Sequence, residues 1–283
     1  MSIKFGVVVN YFSKDSHPIS VKYSAMFALS LLKNCPEVRE IVLSDGSEIP
    51  DNDLSSFCES IEIKYLHSGR MMSFAEGYNY GVEHLTEDWI ATMASDIYVT
   101  PTTFTAIDRF IWKNGDLNIG CLIPYLSRSD LPTQQFSSSY FSRDCESPGM
   151  TFNLNIFKKD VYKKLDGMTR EYSGNFNDIE MWLKLKEKGL NVYLVGSSYA
   201  VHYGQLTLTY GSNTNVNNDK EKFYKKHPQL FEKGSFFDMR MDEFFQSRIL
   251  KYLYKFKMLL PTAKRKMYII LLLKILPVLQ KMN

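Results

Sequence analysis

The chain has 283 residues, 45% of them hydrophobic and 23% charged, with a formal net charge of +3, which suits one large domain with an appendage. Its opening apolar stretch at residues 5–9 is short, with only Lys4 as a nearby charge, and so argues against a signal peptide. Cys35, Cys58, Cys121 and Cys145 lack Cys-x-x-Cys spacing, so reduced thiols in a cytosolic setting are expected rather than disulfides or zinc.

In chain order, residues 5–10 read as an apolar strand. Ala25, Met26, Ala28, Leu29 and Leu32 give residues 24–33 helical spacing. A second strand at 40–43 ends in Ser44, Asp45, Gly46 and Ser47, a third is expected at 61–66, and a helix at 74–85 leads into a strand at 89–93. This alternation predicts a mostly parallel sheet covered on both faces. Val9, Asn10, Tyr11 and Phe12 stand where a dinucleotide site would carry Gly-x-Gly-x-x-Gly, and no phosphate-loop motif of the Gly-x-x-x-x-Gly-Lys-Ser/Thr type is present. Gly77 and Gly81 lie four apart and share one helix face. Each costs about 1 kcal/mol relative to Ala in a helix, which points to close approach of that face to a sheet or a ligand.

The strand at 89–93 runs into Ser95 and Asp96, and a further extended piece at 97–99 stops before Pro101. A carboxylate at the carboxyl end of a central strand sits where open α/β sheets bind ligands. Asp is seldom buried without a partner, and a divalent cation holding a diphosphate would be one, since hard cations take carboxylate and phosphate oxygens. A plain turn Asp is the alternative. Residues 174–189 read as a helix capped by Asn175 or Asn177, with Asp178 and Glu180 in its first turn, where acids are favoured. Ile179, Trp182 and Leu183 form its apolar face, and Gly189 ends it before a strand at 192–195. Another strand at 199–201 delivers His202, whose imidazole suits a borderline metal ligand or a structural role. His17, His67, His84 and His227 show no ligand spacing.

Taken together, residues 3–204 resemble the family 2 glycosyltransferases with the GT-A fold. The resemblance implies an open mixed, mostly parallel sheet with flanking helices and a Rossmann-like nucleotide-binding half. It implies that the first strand opens the nucleotide site, at Asn10, and that Asp45 accepts the uracil imide; the family often has a second Asp where this chain has Ser44. Arg70 is then a diphosphate contact, and Asn79 turns toward the sugar nucleotide. Ser95 and Asp96 match the end of the family's Asp-x-Asp metal motif, with Ala94 in place of the earlier acid. Asp96 and His202 are the implied metal contacts, for Mn²⁺ or Mg²⁺. The block around Asp178 resembles the family's Glu-Asp-x-Asp/Glu signature, with Asn177 replacing the Glu, and follows Leu165-Asp166-Gly167-Met168, which is similar to its Gly-Gly-Phe approach. Asp178 is thereby the implied general base, with Glu180 as alternative base or acceptor contact. The implied reaction is inverting transfer from a nucleotide-diphosphate sugar, a UDP-sugar by expectation, to a hydroxyl of a glycan or lipid-linked acceptor in bacterial surface polysaccharide assembly.

Two long polar segments, 126–149 and 205–219, are expected as mobile binding loops or lids. Residues 248–283 carry nine Lys/Arg and no acid, so the preceding residues hold a net −6. This tail is too interrupted to span a bilayer and reads as basic amphipathic helix on an anionic membrane, placing the protein at the cytoplasmic face. A helix packed on the catalytic domain or joining a homo-oligomer is the alternative, and nucleic acid fits less well against an otherwise acidic chain. The expected division is a catalytic domain at 1–220 and a helical C-terminal region at 221–283. Two competing functions stand beside transfer: an inactive membrane-associated sugar-nucleotide-binding protein, and a sugar nucleotidyltransferase.

Overall fold

In the computed structural model, the described residues are 2–131, 134–135, 144–147, 149–204, 206 and 215–228. The membrane-tail expectation at 248–283, and parts of both expected loops, lie outside them. The fold begins with β1 (Phe5–Tyr11), α1 (Ile19–Lys33), β2 (Val38–Asp45), α2 (Asn52–Ser60), β3 (Lys64–His67), α3 (Phe74–Glu83) and β4 (Trp89–Ala94). It continues through β5 (Ile97–Val99), α4 (Thr103–Lys113), β6 (Ile119–Leu126), β7 (Cys145–Glu146), β8 (Leu154–Lys158), α5 (Lys159–Lys164), α6 (Asn177–Glu187), β9 (Asn191–His202) and α7 (Val216–Lys226).

The strands form one mixed sheet in the order β3-β2-β1-β4-β8-β6-β9-β5, with β7 beside β9. Within it β3, β2, β1 and β4 are mutually parallel, as are β6 and β9. β8 runs antiparallel to both β4 and β6. β1 is apolar along nearly its whole length because both faces are covered. Residues Val21, Ala25, Leu29, Leu54, Phe104 and Ile107 place α1, α2 and α4 on one face. Ala75, Tyr78, Val82, Tyr162, Met181 and Leu185 place α3, α5 and α6 on the other.

The chain winds outward from β1 to β2 and β3, then returns to β4 on the opposite side of β1. That reversal opens a crevice at the carboxyl ends of β1 and β4, the usual ligand position in open α/β sheets.

Several local expectations change. α1 starts at Ile19, directly after Pro18, earlier than the expected residue 24. Ile19, Tyr23 and Phe27, four residues apart, share an exposed face of it, so apolar residues there are not confined to the buried face. The third strand starts at Lys64 because α2 closes only at Ile61. The strands expected at 192–195 and 199–201 are one strand, β9, whose pairing with β6 is irregular between Val195 and Tyr199. The Gly196 N–H donates instead to Asp144 Oδ1 at 2.8 Å.

Candidate active site

The crevice contains a cavity of about 260 Å³ whose lining includes Asn10, Ser95, Asp96, Asp130, Asp178 and His202. β1 delivers Asn10, the turn after β4 delivers Ser95 and Asp96, β9 ends in His202, and α6 contributes Asp178. Five of the residues singled out from sequence therefore meet in one cavity, although up to 192 positions separate them. Phe74, Tyr78 and Phe152 form an aromatic wall, their ring centroids 5.0–6.2 Å apart.

Asp96 and His202 are both buried, and β5 pairs with β9 so that Ile97 stands opposite His202. His202 Nδ1 lies 3.0 Å from the Arg128 carbonyl, which can only accept, so Nδ1 must carry a proton. In the neutral ring Nε2 is then an acceptor facing the Asp96 carboxylate at 3.5 Å. Two acceptors so placed need a cation or a proton between them. Burial works against the imidazolium, yet Asp96, the Arg128 carbonyl and Asp130 together raise His202 above its ordinary value. Burial likewise opposes ionised Asp96, but His202 and the Leu206 N–H at 3.3 Å hold it below the usual carboxylate range.

This donor pair fits a divalent cation, one hard oxygen and one borderline nitrogen with room for substrate oxygens. Among the described residues no group of three or more His, Cys, Asp or Glu converges as a closed metal site. An open site completed by a ligand is the arrangement these residues allow. Asp130, which no sequence motif pointed to, also lines the cavity. It is a lone Asp in a polar stretch, so only the fold reveals its place.

Asp178 sits in the first turn of α6, part-buried, with Oδ1 accepting the Ile179 N–H at 2.9 Å. Neither Asn175 nor Asn177 caps that helix. Phe176 occupies the cap position at φ 65° with no side-chain cap. Asn175 is engaged elsewhere, its N–H and Nδ2 donating to Asp219. Asn177 is 1% exposed, and neither polar atom of its carboxamide has a hydrogen-bond partner among the described residues. Glu180 does not line the cavity: it is buried, and Tyr172 Oη donates to its Oε2 at 3.2 Å.

The remaining three candidates occupy other places. Asp45 is fully buried beneath the turn after β2, where Oδ1 accepts the Ser47 N–H at 2.8 Å and Oδ2 accepts the Tyr65 hydroxyl and the Asp51 N–H. Its carboxylate thus closes the Asp45-Gly46-Ser47 turn from inside, while Gly46 lines the cavity and Ser47 a neighbouring one of about 980 Å³ with Phe12, Lys14 and Glu48. Arg70 lies exposed before α3 and pairs with Glu76 at 2.8 Å. Glu76 also accepts the Ser73 N–H, completing a capping box at the start of α3. Asn79 is buried on the other side of α3. Its Oδ1 accepts Tyr162 Oη and the Met168 N–H at 2.7 and 3.0 Å, and its Nδ2 donates to the Met168 carbonyl at 2.8 Å. It therefore pins the turn of Asp166 and Gly167, both at positive φ, rather than lining the cavity.

The glycine face of α3 is explained by the sheet. A Cβ on Gly77 would collide with the Asn10 carboxamide, and one on Gly81 with the Val8 side chain. The close approach holds Asn10 at the cavity floor, with Nδ2 donating to the Phe74 carbonyl at 3.3 Å.

A switch-point cavity holding a carboxylate–imidazole pair and a separate helix-start carboxylate, on this mixed sheet, defines the class: a GT-A-type glycosyltransferase fold. Comparison with known proteins agrees. The crystal structure of GalNAc-T7 with UDP, GalNAc and Mn²⁺ is similar over 71% of this chain and 44% of its own, at 12% identity and a TM-score of 0.51. The mannosyltransferase PcManGT from Pyrobaculum calidifontis, in complex with GDP-Man and Mn²⁺, is similar over 71% of this chain and 57% of its own, at 12% identity and a TM-score of 0.53. This chain thus spans about half the length of those structures, and at such identity the likeness is one of fold. No curated protein matches the sequence. The model of the family "Glycosyl transferase family 2" matches residues 27–166 of the chain.

Proposed function

We propose that this protein is an inverting, metal-dependent glycosyltransferase that moves a sugar from a nucleotide-diphosphate donor to an acceptor hydroxyl. The observation that carries this reading is the single cavity that takes Asp96, His202 and Asp178 together. Asp96 and His202 would hold Mn²⁺ or Mg²⁺, whose Lewis acidity neutralises charge on a departing diphosphate. The solved structures similar in fold contain Mn²⁺ with UDP and GalNAc in one case and with GDP-Man in the other. Both the donor class and the metal draw support from them.

Asp178 takes the proton from the attacking hydroxyl. Its part exposure at the cavity suits a group that must meet an incoming acceptor. Displacement in line with the leaving group needs no covalent sugar–enzyme intermediate and inverts the anomeric centre. Asn10 and Ser95 flank the donor, and the aromatic wall of Phe74, Tyr78 and Phe152 offers apolar surface to the sugar. Asp45, already engaged by Tyr65, shapes the turn that borders the base, and a UDP-sugar is the donor we assign from the family resemblance. Asn79 and Arg70 act on the site by fixing α3 and its neighbouring turn.

The acceptor we assign is a glycan or lipid-linked sugar of bacterial surface polysaccharide assembly, with the basic tail at 248–283 holding the protein to the cytoplasmic membrane face. This rests on the tail's nine cations without an acid and on family habit. Among the described residues no helix is long and apolar enough to cross a membrane.

The test is a screen of nucleotide sugars for release of free nucleoside diphosphate with and without Mn²⁺ or Mg²⁺. Turnover that depends on metal and disappears in Asp96→Ala is the expected result. Full turnover in EDTA, or undiminished turnover in Asp96→Ala, would overturn the metal assignment.

A further inference from the structure

Asp219 belongs to no motif visible in the sequence, yet it is fully buried on α7 and carries four donors. Its Oδ1 accepts the Ser173 N–H at 2.8 Å. Its Oδ2 accepts Ser173 Oγ at 2.8 Å, the Asn175 N–H at 3.1 Å and Asn175 Nδ2 at 3.3 Å. Ser173 Oγ in turn accepts the Asn215 N–H at 2.7 Å, so the hydroxyl is held from both ends. Hydrogen bonds to an ionised acceptor are shorter and stronger than neutral ones, and a charge this deeply buried is seldom left without such partners.

The segment held in this way is Ser173, Gly174 and Asn175, all three of which line the cavity with Asp178. Between the held segment and Asp178 stands Phe176, at φ 65° in the left-handed region that bulky residues rarely adopt. Such a conformation persists only where the surroundings over-determine it. Here Asp219 fixes the preceding residue, and the buried Phe176 ring packs beside Tyr172, with centroids 6.3 Å apart. No side chain caps α6 at this point, so the direction in which Asp178 leaves the helix depends on that turn.

We propose that Asp219 is a positioning residue for the transfer step: by anchoring Ser173–Asn175 it fixes the Phe176 turn and aims Asp178 at the acceptor. The inference rests on the reading of Asp178 as the base. It explains why a carboxylate far along the chain is buried against the one loop that joins the cavity wall to the candidate base.

The test is a double-mutant cycle in the full chain with Asp219→Asn, which keeps the volume but turns an N–H₂ toward donors. Misaiming a reacting group costs rate steeply, so Asp219→Asn should lower kcat about 10- to 100-fold. The donor KM should stay within about twofold, because the donor groups lie on other elements. In the Asp178→Asn background the same change should cost less than about twofold more, since its target is already gone. A purely structural role would instead multiply with Asp178→Asn or raise the donor KM, and either result overturns the inference. So does wild-type kcat in Asp219→Asn, or unfolding of both Asp219→Asn and Asp219→Ala by circular dichroism. An active Asp178→Asn chain overturns the base reading and this inference with it. An inactive Asp178→Asn beside a fully active Asp219→Asn overturns only this inference.

Discussion

The contact between α3 and β1 makes a quantitative prediction through Gly81. A Cβ built there falls far inside van der Waals contact distance of Val8 Cγ2, with Val8 Cβ at 3.1 Å and Ser44 Cβ at 3.3 Å. Val8 is fully buried on a strand paired on both sides, by β2 and β4. Its β-branched side chain has little rotamer freedom with which to withdraw, and the strand has no free edge toward which to shift. Helix propensity alone favours Gly81→Ala by about 1 kcal/mol. Overpacking of a tight core costs about 1–3 kcal/mol, and a collision with a methyl on an immobile strand belongs at the top of that range. The net expectation is a loss of about 1–2 kcal/mol, or about 2–8 °C in Tm for a domain of this size. Urea or thermal denaturation followed by circular dichroism measures it. Val8→Ala in the same chain removes the colliding methyl, so the double variant should be less destabilised than the sum of the singles. A Gly81→Ala protein as stable as the parent, or more so, would refute the close-approach argument.

Asp178→Asn should reduce transfer about 10²–10⁴-fold, the usual worth of a general base, with donor KM nearly unchanged; near-wild-type activity there beside a dead Glu180→Gln would reverse the two roles. Glu76 makes a pH prediction: its pairing with Arg70 and the Ser73 N–H lowers its carboxyl to about 2. A depressed carboxyl contributes stability above its unfolded value near 4.5, lost as pH falls toward 2. Glu76→Gln, which can still complete the capping box, should flatten that part of the stability–pH curve, and an unchanged acid limb would discount the pair. Deleting residues 248–283 should abolish binding to anionic vesicles at low salt while sparing transfer to a short soluble acceptor. Full-length protein that ignores such vesicles would defeat the membrane assignment.

The parallel half of the fold was legible because its signals are local. Continuous apolar runs such as residues 5–9 mark strands buried on both faces, and helical spacing between them marks the covering layers. The same local reading pointed to Asp96, a carboxylate after a buried strand, and to Asp178, an acid at a helix start, and both line the cavity. The antiparallel half was not legible. β8 pairs antiparallel with both β4 and β6, a long-range choice that no local period announces.

Tertiary structure also sorted the polar candidates. Asn79, Asp45 and Glu180 have the residue types that bind substrates, but a side chain's partner depends on which element packs beside it. Tyr162 and Met168 claim Asn79, Tyr65 claims Asp45, and Tyr172 claims Glu180. Conversely Asp130 and Asp219 gave no signal, because an isolated Asp in a polar stretch looks the same whether it faces water or a cavity. Composition and periodicity determine which segments must bury a face. Only the packing of those faces decides which carboxylates are left open to a ligand and which are consumed in holding the site.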